Sequence, residues 1–237
     1  MLALDARHWW YSGRRRVLRA VLDGLPMPPP RDARVLDAGC GSGRTLDDLA
    51  SYGAASGMEL NRLGVEAARS RGHEVREGRV EAIPYEDASF DLVTCLDVIE
   101  HTDDDARSLR DLRRVTKPAG RLVVTVPAHP RLWSRHDELN GHRRRYTRRS
   151  LAAAAHAGGW GVERMTGFNV TYLAPAALVR IARRGSPEQD GASELALTPP
   201  WLNPVLELPL RLEAALVRRG VDLPPGLSLL AVLGVVP

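Results

Sequence analysis

The sequence predicts an α/β fold in which a parallel sheet is covered by helices on both faces. Three observations lead there. Runs of β and helical character alternate at short spacing over residues 34–127. Three glycines, Gly39, Gly41 and Gly43, follow the first β run directly, where alternating glycines let backbone approach a ligand closely. The most β-like run of the chain, LVVTV at 122–126, closes this half.

In chain order, an amphipathic helix opens over 9–25 and the proline run 26–30 stops it, since proline rings cannot continue a helix. A strand at 34–39 leads through the glycine loop into a helix at 45–52. The second strand, 55–60, is followed by a helix at 62–71. A short strand at 73–77 and a stronger one at 90–97 come next, then a helix at 103–115 and the strand 120–127. Thr102 is the expected N-cap of that helix, with Asp103–Asp105 in its first turn. Beyond Pro127 the alternation loosens. A polar, arginine-rich loop runs to Arg149, a helix capped by Ser150 follows, and 162–168 reads as a strand. An amphipathic stretch at 170–184, a linker at 185–193 (GSPEQDGAS) and an apolar segment at 201–217 precede a last strand at 227–236.

Composition narrows the function classes. Hydrophobic residues make up 44% and charged residues 26% of the 237 positions, enough for a full core. The two cysteines, Cys40 and Cys95, are far apart, which fits neither a disulfide framework nor a cysteine-ligated zinc site, and no metal is expected. The opening MLALDARHWWYSGRRR lacks the apolar core of a secretion signal, and no run is long enough to span a bilayer, so a cytoplasmic protein is expected. The net charge of +4 is carried by arginine, with Lys117 the only lysine, and it allows an anionic partner without requiring one.

The glycine loop separates two ligand classes. A nicotinamide site prefers G-x-G-x-x-G, but the third position here is Arg44, and the strand ends in an acid, Asp37. VLDAGCGSG, 35–43, instead resembles the first motif of the class I S-adenosylmethionine-dependent methyltransferases, in particular their type 11 group. Three further stretches extend the resemblance in order. Glu59, twenty-two positions after Asp37, falls where that family binds the ribose hydroxyls, and a carboxylate can accept from both. GRVEAIPYEDASFDLV, 78–93, is similar to the adenine-side loop and fourth strand, and CLDVIEHTDD, 95–104, to the segment under the methionine end of the cofactor. Arg79 departs from the pattern, standing where many relatives have an aspartate that reaches the adenine amino group; Glu81, or the backbone of Val80 and Glu81, is left for that contact.

The resemblance implies a Rossmann-like, seven-stranded mixed sheet, parallel except for the last strand. It implies an N-terminal helical lid (1–30), a cofactor-binding core (31–168) and a final core strand (227–237); the helical insertion between them (169–226) departs from the short hairpin usual in that family and suggests an acceptor lid, a dimer contact or a membrane contact. It also implies S-adenosyl-L-methionine as cofactor, contacted by Tyr11, Arg14, Asp37, Gly39, Cys40, Gly41, Gly43, Glu59, Leu60, Val80, Glu81, Leu96 and His101. Arg14 or Arg15 is the expected partner of the methionine carboxylate, because a guanidinium fork fits one. The alternative for the opening helix is simple packing on the sheet.

Acceptor chemistry is expected in the loop 127–150, which leaves the carboxyl end of a strand, where ligands of open α/β sheets lie. Its H-x-R-R-Y stretch, His142, Arg144, Arg145 and Tyr146, resembles a loop of bacterial small-molecule methyltransferases. Arg144 and Arg145 would hold an acceptor phosphate or carboxylate, with Trp133 and Tyr146 beside them. His142, then His129 and His136, are the candidate bases, since imidazole titrates near neutrality. A solvated basic loop is the plainer reading, and no nucleic-acid module accompanies the arginines.

The function implied is methyl transfer to an oxygen or nitrogen of a small molecule, in natural-product or glycan biosynthesis. Two others stay open: a membrane-associated enzyme acting on a lipid or lipid-linked acceptor, with the apolar faces at 169–226 in the bilayer interface, and a cofactor-binding protein without turnover. A homodimer is left open as well.

Overall fold

A computed structural model describes residues 8–25, 32–182 and 199–236. The proline run at 26–30 and the linker at 185–193 lie outside these residues, apart from which every predicted element has a counterpart. Helix α1 is Trp9–Leu22, then come β1 (Arg34–Ala38), α2 (Arg44–Leu49), β2 (Ala54–Glu59), α3 (Arg62–Ser70), β3 (Glu74–Glu77), β4 (Phe90–Leu96), α4 (Asp105–Val115) and β5 (Thr116–Pro127). The second half holds α5 (Arg135–Leu139), α6 (Arg148–Ala157), β6 (Trp160–Phe168), α7 (Leu173–Ala182), α8 (Asn203–Arg218) and β7 (Ser228–Val235). Two caps are corrected. Asp104, not Thr102, caps α4, its carboxylate accepting from the Arg107 N–H at 2.8 Å, while the Thr102 hydroxyl is spent on the Ile99 carbonyl. Thr147 caps α6, and the Ser150 hydroxyl accepts the Thr147 N–H at 2.9 Å, a reciprocal pair that satisfies two otherwise unpaired donors.

The seven strands order as β3-β2-β1-β4-β5-β7-β6. The first five are parallel, and β7 runs antiparallel to both β5 and β6. Because side chains alternate along a strand, each strand feeds two cores. On one face Leu36, Val93, Leu122, Val124, Leu229 and Leu233 meet Leu109 and Leu112 of α4 and Leu151 of α6. On the other Val35, Leu92, Val123, Leu230 and Val232 meet α1, α2, α3 and α8.

Helix α1 is part of that second core, with Val17, Leu18, Val21 and Leu22 each 1% exposed. It lies along α8, where Gly13 faces Leu210 and Arg16 is paired with Glu207. The Trp9 and Tyr172 rings meet at 4.5 Å at one end of this pairing. Among the described residues no helix is long and apolar enough to cross a membrane.

Candidate active site

The glycine loop joins β1 to α2 at the carboxyl edge of the sheet. Gly39, Gly41 and Gly43 all have positive φ, at 88°, 54° and 79°. A Cβ on Gly39 would strike the Val98 side chain, whereas one on Gly41 would meet nothing within 4 Å. Gly39 is thus required by packing, and Gly41 opens a face that a ligand can approach. The loop's N–H groups are spent internally: Gly39 and Cys40 donate to the Met58 carbonyl at 2.7 and 3.0 Å, and Gly41 donates to Glu59 at 2.9 Å. Glu59, at the end of β2, also accepts the Asn61 N–H at 2.8 Å. A carboxylate has about four lone-pair sites, so two remain for hydroxyl donors. Asp37 is buried beneath the loop and accepts from the Thr94 hydroxyl at 2.6 Å.

Of the other residues expected at the cofactor, Cys40, Val80 and Leu96 are buried and Leu60 is exposed. Glu81 is ion-paired to Arg79 at 3.4 Å. Arg14 reaches Asp97 at 2.6 Å, and its guanidinium lies 5.6 Å from the centre of the Tyr11 ring. Arg15 turns instead to Asp48 on α2, at 3.5 Å, which removes it as a partner for a ligand carboxylate. Asp97 was missed by the sequence reasoning; it stands past the end of β4 with φ of 56° and also accepts from Thr125 at 3.1 Å. A non-glycine residue in that region is uncommon and marks a constrained turn.

The loop after β5 folds back over the end of β4. Its anchor is Asp137, fully buried, which accepts from His142 Nδ1 at 2.9 Å, Arg145 Nε at 2.7 Å and the Ser134 N–H at 2.9 Å. Burial opposes ionisation of Asp137, but the hydrogen bonds from His142 and Arg145 outweigh it and hold the carboxyl well below the usual range. This network corrects the expected acceptor residues. Arg145 is buried with a second donor, on Nη1, on the Ala128 carbonyl at 3.0 Å. Arg144 is held by the Thr102 and Asp103 carbonyls and by Asp105. Tyr146 is 2% exposed and donates to Asp105. These three build the loop. Trp133 stays at the surface, its Nε1 donating to Glu138 at 3.4 Å.

Of the three candidate bases, the histidines separate clearly. The His129 ring donates to the Pro225 carbonyl, and the His136 ring, on α5, meets Asn140 just beyond that helix. Only His142 reaches the end of β4, where its ring packs edge-on against His101 at 4.8 Å. Glu100 completes the group: it is fully buried, neither carboxyl oxygen has a hydrogen-bond partner, and burial followed by the charge of Asp97 pushes its carboxyl well above the usual range. Burial and the neighbouring His142 lower His101. Glu100, His101 and His142 bring one donor atom each to within 4.8 Å of one another.

Residues 36–124, from β1 into β5, match the methyltransferase domain family. That segment is a class I S-adenosylmethionine-dependent methyltransferase domain. A ubiquinone biosynthesis O-methyltransferase from Paracidovorax citrulli is 35% identical to it over 132 residues, 48% of this chain and 55% of that one. Another from Idiomarina loihiensis is 28% identical over 177 residues, 70% of this chain and 66% of that one. Among solved structures, geranyl diphosphate C-methyltransferase from Streptomyces coelicolor A3(2), in complex with Mg2+, geranyl diphosphate and S-adenosyl-L-homocysteine, superposes with a TM-score of 0.62. That likeness covers 95% of this chain and 78% of the other at 16% identity, and so concerns the fold. The chain spans about half the length of the curated relatives it matches. S-adenosylmethionine is the cofactor of this methyltransferase family, and the residues present fit it: the open face of Gly41 admits a ligand, and Glu59 beside it keeps free acceptor capacity.

Proposed function

We propose that the protein transfers a methyl group from S-adenosylmethionine to an oxygen or nitrogen of a small-molecule acceptor. The observation that carries this reading is the placement of two polar sites on adjacent strands. The glycine loop with Glu59 stands at the carboxyl ends of β1 and β2, and the Glu100–His101–His142 group stands at the end of β4, the strand paired with β1. Neighbouring strands are about 4.8 Å apart, so a ligand seated on the first site reaches the second.

When bound, the cofactor supplies an electrophilic methyl group on its sulfonium. The chain then has to align the acceptor and deal with its proton or charge. Alignment alone can lower a barrier by about 7–11 kcal/mol. Glu59 and the backbone of 39–43 hold the sugar and amino-acid portions, and Arg14 with Asp97 closes the site under α1. The His142 imidazole, oriented by Asp137, handles the acceptor's proton or charge. In this reading 31–168 and the final strand form the cofactor core, and 169–226 with the opening helix form the acceptor side.

Calorimetry with S-adenosylmethionine and S-adenosylhomocysteine tests the cofactor half, and transfer of labelled methyl to a panel of phenols, hydroxy acids, sugars and amines tests the reaction. No heat with either compound sinks the reading. Tight binding with no transfer to any acceptor favours the cofactor-binding protein without turnover.

One observation supports a lipid-linked acceptor as a second reading. Val205, Leu208 and Leu212 lie on one exposed face of α8, with Trp201 just before it at 75% exposure. Sedimentation with liposomes, compared with a variant in which these four residues are replaced by serine, separates the two readings.

A further inference from the structure

We propose that Glu100, His101 and His142 form a binding site for a divalent transition cation, set beside the acceptor position. The placement beside the acceptor rests on the methyltransferase reading; the site itself rests on three observations. The donors converge, one atom from each residue lying within 4.8 Å of the others. Two ligand atoms on opposite sides of an ion, each about 2.1 Å from it, are about 4.2 Å apart, so small side-chain rotations close the set.

Both imidazoles are held from behind. His101 Nδ1 donates to the Gly141 carbonyl at 3.3 Å and His142 Nδ1 donates to Asp137 at 2.9 Å. Each ring therefore keeps Nε2 as its lone-pair nitrogen, and a carbonyl or carboxylate behind a histidine is the arrangement that orients metal ligands. Finally, the Glu100 side chain is fully buried and neither of its oxygens has a partner. A buried carboxyl without a donor lacks compensation for its lost hydration, and a cation supplies it.

A proton acceptor alone would need neither the second imidazole nor the buried carboxyl. On His142 the two roles exclude each other, since one lone pair takes either a proton or a cation; with the ion bound, the ion in place of the His142 lone pair makes the acceptor oxygen acidic, and its proton leaves to solvent. Two imidazoles with one carboxylate suit Mn2+, Fe2+, Co2+ or Zn2+ better than Mg2+ or Ca2+, and three protein ligands leave coordination positions for oxygens. The acceptor class that fits is one presenting an oxygen donor, such as a phenol or a pair of adjacent hydroxyls, which the cation would hold and render more acidic.

The test uses the full chain, stripped with EDTA and dialysed, then titrated with CoCl2 and followed by visible absorption and calorimetry. S-adenosylhomocysteine is titrated separately into the same preparation. One Co2+ per chain, displaced by Zn2+, is expected. His101→Ala and Glu100→Gln should each weaken it by about tenfold or more. His156→Ala, on the exposed side of α6, should leave it unchanged. His101 is at the surface, so His101→Ala remains decisive, with circular dichroism as the fold control, even where Glu100→Gln does not fold. Absence of Co2+ binding up to millimolar concentration, or equal binding in His101→Ala, overturns the site. S-adenosylhomocysteine binding without Co2+ binding overturns the cation site and leaves the methyltransferase reading standing. Co2+ binding without S-adenosylhomocysteine binding does the reverse.

Discussion

Glu59 serves the loop and the ligand with one carboxylate, accepting two backbone N–H groups while keeping acceptor capacity for hydroxyls. Glu59→Ala is expected to weaken cofactor affinity by about 1–3 kcal/mol, measured by calorimetry, and an unchanged dissociation constant would contradict the ribose contact. Asp137 governs an acid-side response. Its folded carboxyl is held below its unfolded value of about 3.9, so the stability it confers is present above that value and is lost as pH falls from there through the lowered folded value. Asp137→Asn should flatten the dependence of unfolding free energy on pH below about 4 and cost about 3–5 kcal/mol at neutrality, because Arg145 then stays buried without its counter-charge. Glu59 was legible in the sequence because its spacing from Asp37 matches a family pattern on adjacent strands. Arg145 and Tyr146 read in the sequence as acceptor contacts, because an arginine fork suits an anion, and only the fold shows them spent on Asp137, the Ala128 carbonyl and Asp105. Glu100 gave no local signal, since its burial depends on the chain returning forty residues later to cover it through His142.

At the scale of elements, α1 and α8 pack closely where Gly13 leaves room for Leu210. Gly13→Ile should force the two apart at a cost of about 1–3 kcal/mol, visible as a lower melting temperature; an unchanged melting temperature would place that contact elsewhere. The helix was legible from its apolar face, but its last turn was not, as Asp23 N–H closes on the Arg19 carbonyl and the regular pattern ends at Leu22. Likewise Thr147 and Ser150 are both good caps by type, and the choice between them is made by the strand end at Ala128, which pairs with Tyr146 and fixes where the chain turns. The strands β1, β4, β5 and β7 are legible because their apolar runs are buried on both faces.

Across the whole molecule, alternation of β and α indicates the parallel half and the family resemblance supplies the antiparallel direction of β7, while its place between β5 and β6 is visible only in the structure, since nothing in its composition says that it enters there. Its register ties Thr125 to Leu230 and Thr166 to Leu230, so a single strand joins both neighbours. A chain stopped after residue 226 should therefore fail to fold, read as loss of the cooperative circular dichroism transition; a cooperative transition in that variant would show β7 to be dispensable. The consequence reaches into biosynthesis. While a ribosome is still making residues 199–227, β5 and β6 each present an unpaired edge, and the nascent polypeptide is exposed to intermolecular pairing until the final strand slides into the gap. Slow elongation through that stretch would lengthen the hazard, and overexpression would make chaperone supply, more than intrinsic stability, the factor that decides yield.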